Sequence, residues 1–225
     1  MFSGFWAKIF GLFRNYSMLF LTGTGMTLLL SALTVGFGVI LGSLLAIMKM
    51  SRIKPLSWFA IGYIELIRGT PLLLQLYVFY FVIPNAIKFM SISEFTSVAM
   101  ALALNSAAYV AEIIRAGIQS VDKGQTEASR SLGLTKSQTM WKIVFPQAVK
   151  NILPSLCNEF IMVIKETSLA STFFIGDIMT QYKTIQGITF LALEPLIIIA
   201  AIYMVLTSIL SKLATQYERR LKASD

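Results

Sequence analysis

The sequence predicts an all-α membrane protein with five transmembrane helices. Three observations carry this. Charged residues make up 13% of the 225 residues and hydrophobic residues 56%, against about 25% charged in a soluble domain, and mean hydropathy is +0.73. Asn15 to Met48, 34 residues, contains no formally charged residue, more than the ~20 apolar residues one span needs. Lys and Arg gather at alternate ends of the apolar runs, as they do when a membrane sorts them by side. The same composition argues against a soluble globule, a disordered tail and a disulfide scaffold. A β-barrel would show ~10-residue alternating segments instead of these long runs. With no His and one Cys, Cys157, no metal site, catalytic His or intrachain disulfide is expected.

Each span has its own justification. The first lies within residues 15–48, too long for a signal peptide. Its Gly38 and Gly42 share one face, where a second helix would approach closely, although Gly is common in membrane helices generally. The second runs from near Leu56 to Ile83, between Pro55 and Pro84, and carries Glu65 and Arg68. The third runs near Phe95 to Val121 and holds Glu112 and Arg115. The fourth runs near Ile152 to Ile175 and holds Glu159, Lys165 and Glu166. The fifth runs near Leu193 to Leu213, with Pro195 in its first turn, where Pro is tolerated. Residues 1–225 read as one domain.

Orientation follows from Lys and Arg. One set of span ends holds Lys49, Arg52, Lys54, Lys123, Arg130, Lys136, Lys142, Lys150, Lys212, Arg219, Arg220 and Lys222, which is 12 positive charges. The opposite ends hold 4: Lys8, Arg14, Lys88 and Lys183. The excess places the first set in the cytoplasm, with the N-terminus outside and the C-terminus inside. Phe2 to Phe13 reads as an interfacial amphipathic segment holding Lys8 and Arg14 at the headgroups.

Residues 122–151 are the long polar stretch between spans and read as two short helices. Gln125 to Leu132 is helical, with Gly133 as the residue that adopts φ > 0 after it. Thr135-Lys136-Ser137-Gln138 matches a capping box. The next run, Met140 to Phe145, is expected to end near Pro146. Two capped helices on the cytoplasmic face make a docking surface; a loop lying on the bilayer is the plainer alternative.

Glu127-Ala128-Ser129, then Gly133, then Ile143-Val144-Phe145-Pro146 resembles the EAA motif of permease subunits of ATP-binding-cassette importers. Arg68-Gly69-Thr70-Pro71-Leu72, Asn105 to Arg115, Gly124-Gln125, Pro146-Gln147-Ala148 and Lys165 to Leu169 resemble the polar amino acid subfamily. The resemblance spans the chain from the first span to Arg220. Ser129 in place of the third motif residue and Phe145 before Pro146 depart from the pattern. The resemblance implies a type I importer permease fold in a bacterial inner membrane. It implies a second permease subunit, identical or paralogous, two cytoplasmic ATPase subunits and an extracytoplasmic substrate-binding protein. The helix near Gln125 to Leu132 would be the coupling helix, with Gln125, Glu127, Ala128, Ser129, Leu132, Gly133 and Pro146 in the coupling surface. This chain has no G-x-x-x-x-G-K-[ST] phosphate loop, so it is not expected to be an enzyme. ATP and Mg would bind the partner, and this chain would hold no cofactor.

Ionisable residues at membrane depth cost a few kcal/mol, so each needs a partner or a role. Glu65 and Arg68, and Glu112 and Arg115, have the i, i+3 spacing of local pairs. Glu159 has no cation at i±3 or i±4. Its counter-charge is either a transported cation, or Arg115, or a residue across a permease pair. The resemblance places Asn105, Ser106, Tyr109, Asn158, Glu159 and Met162 by the substrate pathway, with Glu65 and Arg68 as further candidates. A basic amino acid (arginine, lysine or histidine) would suit Glu159; glutamine, cystine or another polar amino acid is the alternative. The outer loops, Pro84 to Glu94 and Asp177 to Glu194, would receive the binding protein. A stand-alone channel or secondary transporter would more often show inverted repeats, which the two halves lack. Basic residues flank spans instead of forming one patch with aromatics, so nucleic-acid binding is not expected.

Overall fold

The computed structural model describes residues 2–86 and 92–222. Among them there are helices, turns and loops and no strand. In order, the helices are α1 (Phe2–Asn15), α2 (Ser17–Lys49), α3 (Lys54–Arg68), α4 (Leu72–Tyr77), α5 (Ile83–Ala86) and α6 (Glu94–Gln119). Then come α7 (Lys123–Ser131), α8 (Lys136–Thr139), α9 (Phe145–Glu166), α10 (Ile178–Thr189) and α11 (Leu193–Lys222). Single π-helical turns at Val78–Val82 and Met140–Val144 join α4 to α5 and α8 to α9, and a 3₁₀ segment, Thr167–Phe173, follows α9.

Three of these helices, α2, α6 and α11, are long and apolar enough to cross a membrane, and α3 with the α4–α5 stretch makes a fourth only if the bent pair counts as one span. The expected second and fourth spans differ in detail from the helices observed. The second span is broken. Pro71 disfavours the helical conformation at Thr70, so α3 stops at Arg68 and α4 begins at Leu72. The fourth is α9, which starts at Phe145 and ends at Glu166. It is not among the helices apolar enough to cross by composition alone, and it carries Lys150, Glu159, Lys165 and Glu166.

Pro146 does not stop its helix, against the expectation. It falls in the first turn of α9, directly after the π turn, where the Phe145 N–H bonds five residues back to the Met140 carbonyl. Pro84 stands in the same relation to Val78–Val82, where Ile83 N–H bonds to the Val78 carbonyl. A ring that would clash with the carbonyl four residues back thus follows a widened turn at both places.

Contacts gather the chain into two compact units: unit 1, Met1–Thr34, Leu72–Leu102 and Ile161–Leu210, and unit 2, Val35–Pro71, Ala103–Phe160 and Ser211–Asp225. Within unit 1, one core joins Ile9, Leu12 and Phe20 to Ile178, Ile185, Ile198 and Ile199. Thus α1 buries Ile9 and Leu12 and exposes Trp6, Phe10 and Phe13, as an amphipathic helix docked on one side. Its Lys8 lies 3.9 Å from Glu194. A second core joins Leu30, Leu76, Val98, Leu102 and Phe173. The expected outer loop 177–194 is mostly the helix α10. Asp177 caps it by accepting from Met179 N–H at 2.9 Å, and Thr27 Oγ1 accepts from Ile178 N–H at 3.1 Å. Burial pushes the Asp177 carboxyl above the usual carboxylate range, against the pull of the hydrogen bonds it accepts from the Thr180 hydroxyl and the Met179 N–H. Of the other expected outer loop, residues 87–91, with Lys88, lie outside the described residues.

Unit 2 is built on small side chains. Its core holds Ala46, Ala60, Ala107, Ala108 and Ala111 with Leu45 and Ile64. Small residues let backbones approach where lipid supplies no hydrophobic drive. The Gly38 and Gly42 pair fits this reading: a Cβ at Gly42 would lie 2.8 Å from the Ala107 carbonyl oxygen, and one at Gly38 2.8 Å from Ser106 Oγ. Phe37, Ile40, Leu44 and Ile47 on α2 stay exposed, a stripe suited to acyl chains.

Candidate functional site

The polar groups of unit 2 come from α6 and α9. On α6, Asn105, Tyr109 and Glu112 recur at i, i+4 and i+7, so they share a face. On α9, Asn151, Ser155 and Asn158 recur in the same way, with Glu159 on the flank of that stripe. α9 also buries Ala148 and Ile152, whereas Asn151 and Asn158 are exposed.

Glu112 is a hub. Lys49 Nζ donates to its Oε1 at 2.6 Å, Arg115 donates to its Oε2 at 2.8 Å, and Arg68 Nη1 lies 3.6 Å from Oε2. The Glu112–Arg115 pair is as the spacing predicts. The Glu65–Arg68 pair does not form. Glu65 is exposed with no ion pair among the described residues, while Arg68 reaches Glu112 and lies over the Tyr109 ring, 5.4 Å from its centroid. Lys49 and Arg68 are the last residues of α2 and α3, where cations also complement the helix dipole. One carboxylate on α6 therefore ties the ends of α2 and α3 to its own helix.

Glu159 has a different environment. Ser106 Oγ donates to its Oε1 at 2.8 Å, and among the described residues no cation lies within 4 Å of it. Arg115, a counter-charge considered from sequence, is taken by Glu112. Asn105 and Ser106 are buried; Asn158 and Met162 are exposed. Met162 belongs to unit 1. A cavity of about 630 Å³ in unit 2 is lined by Arg68, Tyr109, Glu112, Arg115, Asn151 and Ser155, among others. Asn151, which donates to Ser120 Oγ at 2.9 Å, was not singled out from sequence, although the polar 151/155/158 spacing was there to read.

The loop 122–151 follows its local signals closely. Asp122 accepts from Gly124 N–H at 2.7 Å and so caps α7. Gly133 has φ +86°. Thr135 and Gln138 form the reciprocal capping box. Gln125, Glu127, Ala128 and Leu132 are exposed, Leu132 to 82%. Ser129 is buried and donates to the Thr126 carbonyl and to Thr139 Oγ1, so it braces α7 on α8 and is withdrawn from any docking surface.

Small-residue packing, carboxylates on α6 and α9 and a capped polar loop are compatible with a transport permease subunit, and the comparisons with known proteins establish that class. The chain matches the family described as "Binding-protein-dependent transport system inner membrane component" over residues 38–223 and belongs to it. It is 42% identical over 205 residues, 91% of this chain and 93% of the other, to the arginine transport system permease protein ArtQ of Bacillus subtilis. It is 40% identical over 213 residues, 95% and 97% of the two chains, to the probable glutamine ABC transporter permease protein GlnM of the same organism. Among solved structures it is similar to a chain of an amino acid ABC transporter with histidines, at TM-score 0.88 and 51% identity, covering 92% of this chain and 96% of that one. The methionine transporter MetNI, at TM-score 0.75 and 18% identity over 92% and 98% of the two chains, shares the fold. The chain is thus a permease subunit of an amino acid ATP-binding-cassette importer, with the type I importer fold.

Proposed function

We propose that this permease carries a basic amino acid, with Glu159 as its counter-charge. One observation supports this above the rest: Glu112 draws three cations, whereas Glu159 has a serine hydroxyl and no cation within reach. A carboxylate at membrane depth is costly when unpaired, and a guanidinium or ammonium from the substrate would meet that need. Asn105, Ser106, Tyr109, Asn158 and Met162 would line the pathway, with Arg68 toward its Glu112 end and Glu65 at its margin. Glutamine is the second reading, favoured by relatives named for glutamine, since a carboxylate also accepts from an amide N–H.

The chain works as one permease domain paired with a second permease subunit, identical or paralogous. Two cytoplasmic ATPase subunits bind ATP and Mg and drive alternating access, and a substrate-binding protein delivers from outside. The exposed α7 face with Gln125, Ala128 and Leu132, flanked by Glu127 and turned by Gly133, transmits ATPase motion, with Pro146 fixing the return into α9. The N-terminus lies outside and the C-terminus in the cytoplasm.

The test is ATP-driven uptake of arginine, lysine, glutamine and cystine by the reconstituted complex, with and without Glu159→Gln. Cationic substrates should lose selectively. Equal loss for cationic and neutral substrates would remove the counter-charge reading. Replacing Gly133 by a bulky residue together with Glu127→Ala should uncouple transport while the permease still inserts; full transport in that variant would sink the coupling assignment.

A further inference from the structure

We propose that the cavity between α7, α8 and the end of α6 is a binding site for the phosphate headgroup of an anionic phospholipid. The cavity holds about 670 Å³. Lys123, Thr126 and Arg130 recur at i, i+3 and i+7 along α7, so one face of that helix looks into it, and Lys136 of α8 joins them. The face with Gln125, Ala128 and Leu132 is turned the opposite way. The surface offered to the ATPase and the cavity are therefore separate sides of the same helix.

The charges in the cavity are unbalanced. Three cations line it and no acid does. Among the described residues no carboxylate lies within 4 Å of Lys123, Arg130 or Lys136. Of the nearby acids, Asp122 is committed to its cap, and Glu127, one turn from both Lys123 and Arg130, pairs with neither within 4 Å and lies outside the lining. Arg130 gives one Nη1 to the Leu134 carbonyl, which orients the guanidinium and leaves its other donors. Like charges gathered in one concavity repel unless an anion enters, and a phosphate accepts from Arg and Lys together.

The rest of the lining selects the source of that phosphate. Ile118 and Val121, at the end of α6, and Met140 and Val144, in the π turn, form an apolar wall. A free phosphate gains nothing from it, whereas a glycerol backbone with the first carbons of its acyl chains does. The place agrees, because α6 is one of the helices able to cross the membrane, and the cavity lies at its end. Next to it Trp141 is 64% exposed and packs on Phe145 with ring centroids 5.1 Å apart. Trp is enriched at headgroup level. On the proposed orientation this is the cytoplasmic leaflet, where anionic lipids attract basic residues beside spans. A lipid held there would fasten the coupling loop to the bilayer. The inference uses the importer reading only to choose the leaflet.

The experiment is lipid retention by native mass spectrometry on the complete permease–ATPase complex, taken from nanodiscs of phosphatidylcholine with phosphatidylglycerol. Wild type should retain phosphatidylglycerol over phosphatidylcholine. Each of Lys123→Gln, Arg130→Gln and Lys136→Gln should weaken retention about five-fold, and the triple variant should abolish it. Lys142→Gln with Lys150→Gln, which also removes loop charge, should retain the lipid. Equal retention in the triple variant, or equal loss in the control, overturns the site. Displacement by inorganic phosphate would assign it to a soluble anion instead. Loss of the ATPase with lipid retained would assign the cations to that partner. If the triple variant does not assemble, the single variants give the same reading. Amino acid uptake by the wild-type complex is measured alongside, so a failed importer assignment is visible separately.

Discussion

Glu112 and Glu159 are both glutamates on membrane-depth helices of unit 2, and they are held in opposite ways. Glu112 is wrapped by Lys49, Arg68 and Arg115; Glu159 takes one hydrogen bond from Ser106. The first arrangement spends a carboxylate on joining helix ends, with more positive charge around it than it neutralises. The second leaves acceptor capacity free along the polar stripe of α9. A carboxylate in a span is thus not by itself a substrate residue. What separates the two is the set of partners already within reach.

Glu112→Gln tests the structural side of the contrast and carries the largest expected effect. It leaves three cations facing one another, and for a part-buried cluster the cost lies between the ~1 kcal/mol of an exposed pair and the ~3 kcal/mol of a buried one. The denaturation midpoint of the purified complex should fall well below wild type; an unchanged midpoint would show that the hub holds nothing together.

Glu159→Gln should do the reverse, with little loss of stability because the amide oxygen still accepts from Ser106. Its effect belongs in transport. Losing a charge-assisted hydrogen bond is worth about 1.5–3 kcal/mol, so arginine and lysine uptake at subsaturating substrate should fall on the order of 10–100-fold. Glutamine uptake should fall far less.

Ser106→Ala removes the donor that orients Glu159 and should cost about 1 kcal/mol, read as a modest drop in midpoint and a weaker preference for cationic substrate. Gly38→Ala gives an independent route to the same residue, since its Cβ would press on Ser106 Oγ at 2.8 Å. If it changed the midpoint while leaving cation preference intact, Ser106 would not be the link. Smallest of all is Arg68→Gln. That side chain is 44% exposed and 3.6 Å from Glu112, so its ion pair is worth under about 1 kcal/mol. A loss as large as that of Glu112→Gln would mean Arg68 is the keystone of the cluster.

Much of this architecture was legible from sequence, and the reason is range. The Thr135–Gln138 capping box, the positive φ of Gly133 and the Glu112–Arg115 pair involve residues within three positions or a single backbone torsion, so neighbouring side chains settle them. Local rules failed where another group, near or distant, outweighed them. Glu65 and Arg68 have ideal spacing, yet Arg68 turns to Glu112, where a second helix offers a better anion and a tyrosine ring. Pro146 is a helix stopper in isolation, yet a π turn ahead of it lets α9 continue. The break at Thr70–Pro71 had its signal in the sequence, but a long apolar run hid it.

The sequence alone therefore determined the helical class, the membrane setting, the short capped loop and the two glycines that admit a close neighbour, because composition and spacings of a few residues fix them. The tertiary structure decided which carboxylate is saturated and which is left open. Lys49 is 63 residues from Glu112, and Ser106 is 53 from Glu159. Such partners are chosen by packing of separate helices, where the desolvation cost of a charge is met by whichever group the fold brings within hydrogen-bond distance.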